Sequence, residues 1–275
     1  MARLICDVPQ SLLDALAAQK ARTGESVDHI VTTALADAFQ VEHATLFQIS
    51  TTAALVEGVT RGAITVSQLS RHGDFGLGTF AEFDGEMVML EGTVYQVTRC
   101  GVTVPGGDAQ VPFAVVTHFL PESSAALGDI TSFDDLVRDV DALRNTGNDF
   151  FAVRIDGRFD YVKTRAVGKS DGSASLVAAA SAQAEFEFEG VEGVLVGFWA
   201  PIYAKALNVP GWHLHFLTAD RSGGGHLLTC RARGLRAQVQ HFSDFHLALP
   251  ETAEFLRADL TRDTSRELDK AEKDH

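Results

Sequence analysis

Three of the ten histidines in this 275-residue chain are spaced so that they can share one ligand. His213 and His215 lie in GWHLHF. On a strand, residues i and i+2 face the same side, so both imidazoles point at a common atom while Leu214 packs behind. The loop TADRSGGG follows, ending in three consecutive glycines, and His226 opens the next apolar run. A hairpin through that loop returns His226 beside the first pair. Three neutral imidazoles around one point suit a divalent ion such as zinc, with the remaining coordination open to water or substrate. Histidines on strands also serve as plain core or surface residues. The third histidine after a glycine loop is what favours metal here. The HxH motif of a cupin barrel matches poorly, because Leu217, Thr218, Ala219 and Asp220 fill the region where that motif needs glutamate. His29, His43, His72, His118, His241, His246 and His275 lack this geometry and read as structural.

The elements that must position these groups are short β runs punctuated by glycine. GDFGLGTFAEFDGEMVMLEGTVYQV reads as successive strands, with hairpin chemistry at Asp84–Gly85 and Glu91–Gly92. VPFAVVTHF is a further strand. FFAVRIDGRFDYVKTRAV reads as a hairpin turning at Asp156–Gly157, and VEGVLVGFWAP, GWHLHFLTA and GGHLLTCRA give three more strands. Helices are expected after Ser50 or Thr51, ending near Arg61–Gly62, and in TSFDDLVRDVDALRN behind Thr131 or Ser132. The C-terminal SRELDKAEKDH is charged and helix-prone. No fixed-period repeat, GxGxxG after a strand or GxxxxGK[ST] is present, so a nucleotide phosphate loop is not supported. The expected class is α/β, α+β-like. It comprises two mixed or antiparallel sheet subdomains with flanking helices, plus a small N-terminal strand-helix-helix arm. The expected units are residues 1–42, 43–150 and 151–275.

In the arm, RLICDV reads as a strand, and two amphipathic helices are divided by Gly24 and Ser26. Forty residues are too few to bury a core, so the arm should dimerise or dock. It resembles ribbon-helix-helix domains, whose paired strands enter the DNA major groove. Its charge opposes that use. Arg3, Lys20 and Arg22 stand against Asp7, Asp14, Glu25, Asp28 and Asp37, a net of −2. Phosphate contact supplies most non-specific affinity, so DNA binding through residues 1–40 is disfavoured and a helical dimerisation arm is favoured.

The whole chain carries a formal charge of −14, which argues against a large nucleic-acid surface. Hydrophobic residues at 45% and charged residues at 22% are those of a globular protein with its own core. No apolar run reaches the roughly 20 residues a bilayer span needs, so no membrane role is expected. MARLICDVPQ lacks the pattern of a secretory signal, and Cys6, Cys100 and Cys230 are odd in number and far apart. A cytoplasmic location follows as the expectation.

Taken in order, HGDFGLGTF, FDGEM, VPFAVV, VRIDG, VKTR, VEGVLVGFWAPIYA, VPGWHLHF and GGH resemble the alpha-acetolactate decarboxylase family over roughly residues 44–275. The resemblance implies two α/β domains with sheets that can extend across a dimer, and a homodimer or higher homo-oligomer. It implies a lyase, dependent on zinc or another divalent transition metal, in the acetoin and butanediol branch from pyruvate. Such an enzyme converts (S)-2-acetolactate to (R)-acetoin and carbon dioxide. Carried over by motif, the metal ligands are His213, His215 and His226, and the catalytic residues are Glu86 of FDGEM, Arg165 of VKTR and Glu272 of KAEKD. Thr79 of GLGTF, together with Arg165, contacts substrate. Arg154, Glu57 and Glu251 are rival positions for these charged roles. Alone, Glu86 reads as an exposed turn residue, Arg165 as half of a cross-strand ion pair and Glu272 as part of a solvated face.

The chemistry asks for the same groups. Acetolactate is a 3-keto acid, so loss of its carboxylate leaves two electrons that must reach the ketone oxygen. A metal chelating the ketone and the adjacent hydroxyl is an electron sink, which removes the need for an organic cofactor. Two alternatives remain. One is another metal-dependent lyase or isomerase on a small keto or hydroxy acid. The other is a transcriptional regulator with the arm on DNA and a decarboxylase-like sensor domain.

Overall fold

The computed structural model describes residues 5–24, 26–39, 44–168 and 183–272. Two helices lead, α1 (Gln10–Thr23) and α2 (Val27–Phe39). Gly24 ends α1 in the left-handed conformation, and the Ser26 hydroxyl accepts from His29 N–H to start α2, as expected. Of the expected strand before them, the described part is not a strand. Ile5–Val8 are irregular, and Arg3 and Leu4 lie outside the described residues. A strand needs a neighbour for its N–H and C=O groups, and among the described residues none pairs with this segment.

The body follows with fifteen strands among the described residues. They are β1 (Thr45–Ile49), β2 (Ile64–Thr65), β3 (Phe75–Thr79), β4 (Glu86–Leu90), β5 (Thr93–Thr98), β6 (Gly101–Thr103), β7 (Gln110–Val111) and β8 (Phe113–Thr117). Then come β9 (Ser123–Ala126), β10 (Phe150–Ala166), β11 (Ala184–Ala200), β12 (Gly211–Thr218), β13 (Gly224–Ala232), β14 (Arg236–Phe242) and β15 (Asp244–Ala248). Helices α3 (Thr52–Val56), α4 (Val66–Leu69), α5 (Phe133–Asp141), α6 (Ala253–Arg257) and α7 (Ser265–Glu272) flank them. Thr51 caps α3, which stops at Glu57, short of the expected Arg61–Gly62. Ser132 caps α5.

One sheet runs β15-β1-β8-β3-β4-β5-β6 and is mixed, since β15 lies parallel to β1 while the other pairs are antiparallel. The second runs β11-β12-β13-β10-β14-β9, and β11 also pairs with β10. Each sheet takes one strand from beyond residue 150 or before it, β15 in the first and β9 in the second.

The expected hairpin at Asp156–Gly157 is instead one continuous strand. Gly157 sits opposite Gly193 in the β10–β11 ladder. It marks where the other edge of β10 changes partner, from β14 at Asp156 to β13 at Phe159. Its φ is +154°, and a Cβ there would come within 2.7 Å of Leu235 Cδ2. An Asp-Gly pair serves a turn or a sharp strand bend equally well, and the long ladder decides for the bend. The Glu91–Gly92 turn is a real hairpin with φ of +53° and +79°.

The sheets pack face to face over a shared core that includes Leu77, Val88, Leu90 and Val115 from the first sheet and Ala152, Val196, Phe198 and Leu217 from the second. Two-residue alternation then fixes the site. Thr79 follows the parity of Phe75 and Leu77, and Glu86 that of Val88 and Leu90, while Met87 and Met89 turn to the outer core. On β12, Trp212, Leu214 and Phe216 pack on the far face with α5, so His213 and His215 take the side of Leu217. His226 alternates in the same way with Leu227. Helix α7 adds Leu268 and Ala271 to the shared core, which sets Glu272 at its edge.

Candidate metal centre

The space between the sheets brings together His213, His215, His226, Glu86, Arg165, Glu272 and Thr79. His215 and His226 are directly opposite in the β12–β13 ladder, as the hairpin through the glycine loop predicts. His213 Nε2 lies 3.1 Å from His215 Nε2 and 3.1 Å from His226 Nδ1. All three rings are buried, and their nearest nitrogens lie within 4.8 Å of one another. A tetrahedral ion with bonds of about 2.0–2.1 Å keeps its ligand nitrogens roughly 3.3–3.4 Å apart, so the three histidines could hold a metal ion with little movement. His215 Nδ1–H donates to the carbonyl of Met87 at 2.9 Å, which directs Nε2 inward. Burial, and then Arg165, hold His213 down at about 3. Burial, and then His213, do the same for His215. Both are therefore neutral near pH 7, the state in which imidazole binds metal.

The acids and the arginine surround this cluster. Glu272 Oε2 is 3.6 Å from His213 Nε2, 3.6 Å from His226 Nδ1 and 3.5 Å from Arg165 Nη2. Glu86 Oε2 lies 3.7 Å from His215 Nε2, and its Oε1 accepts from Val167 N–H at 3.3 Å. Burial pushes the Glu86 carboxyl up to about 7 against the pull of Arg165. Arg165 is 4% exposed and donates through Nη1 to Gln183, and its Nε has no partner among the described residues. The Thr79 hydroxyl donates to Gly85 O at 2.9 Å, leaving its lone pairs to accept. These side chains line a cavity walled by Leu55, Phe83, Phe113, Val167 and Val209.

The rival positions lie elsewhere. Arg154 is engaged by Asp156 and Glu91, Glu57 pairs with Arg262, and Glu251 is exposed. Sequence reasoning missed the Met87 carbonyl, the Val167 amide and Gln183. The first follows Glu86 directly in FDGEM, but nothing in the sequence marks a carbonyl that crosses to the opposite sheet.

The sequence model of the alpha-acetolactate decarboxylase family matches residues 46–262. The chain belongs to this family. The alpha-acetolactate decarboxylase of Methanosarcina mazei is 40% identical over 251 residues, 90% of this chain and 86% of its own. That of Brevibacillus brevis is 38% identical over 229 residues, 82% of this chain and 80% of its own. The crystal structure of alpha-acetolactate decarboxylase from Bacillus subtilis strain 168 superposes with a TM-score of 0.80 at 31% identity, covering 83% of this chain and 99% of that one. The family's matched segment spans both sheets and all the site residues except Glu272 and leaves the helical arm outside. No helix among the described residues is long and apolar enough to cross a membrane.

Proposed function

We propose that this chain decarboxylates (S)-2-acetolactate to (R)-acetoin and carbon dioxide at the three-histidine centre. The observation that carries the reading is the convergence of His213, His215 and His226 with one arginine and two acids at one buried site of a family member, where His213, Arg165, Glu86 and Glu272 line a cavity. Zinc or another divalent transition ion held by these histidines would act as a Lewis acid, stabilising the negative charge that develops on the ketone oxygen.

The remaining roles fall to the chain's own groups. Arg165, buried and with an unpartnered Nε, offers a planar fork of N–H groups to the substrate carboxylate. As the C–C bond to that carboxylate breaks, its electron pair passes toward the ketone oxygen, and the carbon left behind must later gain a proton. Glu86, held near 7 by burial, can carry that proton at neutral pH and return to the carboxylate form after giving it. Its bond from Val167 N–H fixes the face from which the proton arrives, which one enantiomer of product requires. Glu272 pairs with Arg165 and closes the cavity from α7, excluding water. Thr79 accepts from the substrate hydroxyl. The two methyl groups lie against Leu55, Phe83, Phe113 and Val209.

The same proposal covers a cytoplasmic homodimer within acetoin and butanediol formation, and the division into units 1–42, 43–150 and 151–275. Purified protein given racemic 2-acetolactate should release carbon dioxide and one enantiomer of acetoin above the spontaneous background, read by chiral chromatography. Racemic acetoin at the background rate would reject the assignment.

A further inference from the structure

Thr52 is the polar residue of the cavity to which the mechanism above gives no role. It stands at the first position of α3 and lines the cavity that also holds Arg165, Glu86 and Glu272. It is 1% exposed, and its hydroxyl oxygen has no hydrogen-bond partner among the described residues. The capping of α3 does not require it, because Thr51 accepts from Ala54 N–H at 3.1 Å. A buried hydroxyl without a partner is destabilising, and valine would fill the same volume without that penalty. The backbone beneath it is held firmly. Thr52 N–H donates to Leu207 O at 3.0 Å, and the same carbonyl accepts from Gln48 Nε2 at 2.7 Å. Asn208 Nδ2 in turn donates to Gln48 Oε1 at 2.8 Å, so a buried amide pair locks the end of β1, just before α3, to the segment preceding β12.

We propose that the Thr52 hydroxyl is a preorganised hydrogen-bonding contact to an oxygen of the bound 2-hydroxy-3-keto acid, a specificity contact beyond Arg165 and Thr79. The inference rests on the decarboxylase reading above. A site whose polar group is satisfied only by ligand rejects molecules lacking the matching oxygen, because the hydroxyl is then left buried and unpaired. The contact is made in the bound substrate and is kept through the reaction, so it belongs to affinity rather than to the chemical step.

The test compares metal-loaded wild type with Thr52→Val and Thr52→Ser. The probe is the unreactive alcohol obtained by reducing the ketone of acetolactate, with binding measured by calorimetry, turnover on acetolactate itself, and ligand-free melting temperature. Thr52→Val should weaken binding of the alcohol and raise KM by about tenfold, the size of one lost hydrogen bond. Its kcat should stay near wild type and its ligand-free melting temperature should be unchanged or higher. Thr52→Ser should recover the affinity. Unchanged affinity in Thr52→Val with normal wild-type turnover overturns the Thr52 assignment alone. A lowered melting temperature with unchanged affinity assigns the hydroxyl a structural role and overturns it equally. Wild type that neither binds the alcohol nor turns over acetolactate overturns the decarboxylase reading and this inference with it.

Discussion

Glu86 makes a quantitative demand on the metal-free protein. Burial raises its carboxyl from 4.5 to about 7. Between those values the folded chain holds the proton more tightly than the unfolded chain does. The stability from this group is intact below pH 4.5 and is lost as pH rises through 7, the reverse of a salt-bridged carboxylate. At about 1.36 kcal/mol per pH unit, the full window is worth about 3 kcal/mol, of which about 2.5 falls between pH 5 and pH 8. Glu86→Gln keeps the shape and removes the ionisation. With both proteins stripped by chelator, urea denaturation should show the variant gaining on wild type by about 2.5 kcal/mol from pH 5 to pH 8. The Val167 N–H contact differs between glutamate and glutamine, but that offset is the same at both pH values and cancels. Reloading a divalent ion should shrink the gap, because a neighbouring dication favours the carboxylate. A gap that ignores pH, or one that moves in glutamate's favour from pH 5 to pH 8, refutes the reasoning from burial.

Three further outcomes are expected. Wild type should carry about one divalent ion per chain and His213→Ala should carry none, read by elemental analysis of the gel-filtered protein. Gly157→Ala should cost about 1–3 kcal/mol in urea denaturation, because its Cβ meets Leu235 where the strand bends. Deletion of residues 1–42 should leave acetolactate turnover per site unchanged, since every residue of the centre lies in the body, and should lower the oligomeric state seen by light scattering.

The centre was legible in the sequence because strand alternation and a glycine loop are local rules. HLH at 213–215 and the GGH after it needed only a two-residue period and one hairpin to converge, and they do. Glu86, Arg165, Glu272 and Thr79 were reached through motif resemblance. Their side-chain surroundings depend on two sheets packing face to face, which no local pattern states. Gly157 shows the limit of local rules. Its Asp-Gly pair signals a turn, and only the fifteen-pair β10–β11 ladder reveals a bend. The parallel pairing of β15 with β1 joins residues about two hundred apart and has no sequence mark at all. The arm's helices followed from Gly24 and Ser26. The strand expected before them rests on the short run RLICDV alone, which cannot supply the partner a strand needs.

The account centres on metal-dependent decarboxylation by the three-histidine cavity. The most direct measurement is the rate of acetoin and carbon dioxide release from 2-acetolactate by one preparation as purified, after chelation, and after zinc is restored. The rate should fall to the spontaneous background on chelation and return with zinc in wild type but not in His213→Ala. Full activity in verified metal-free protein, or none in zinc-loaded wild type, would contradict the account.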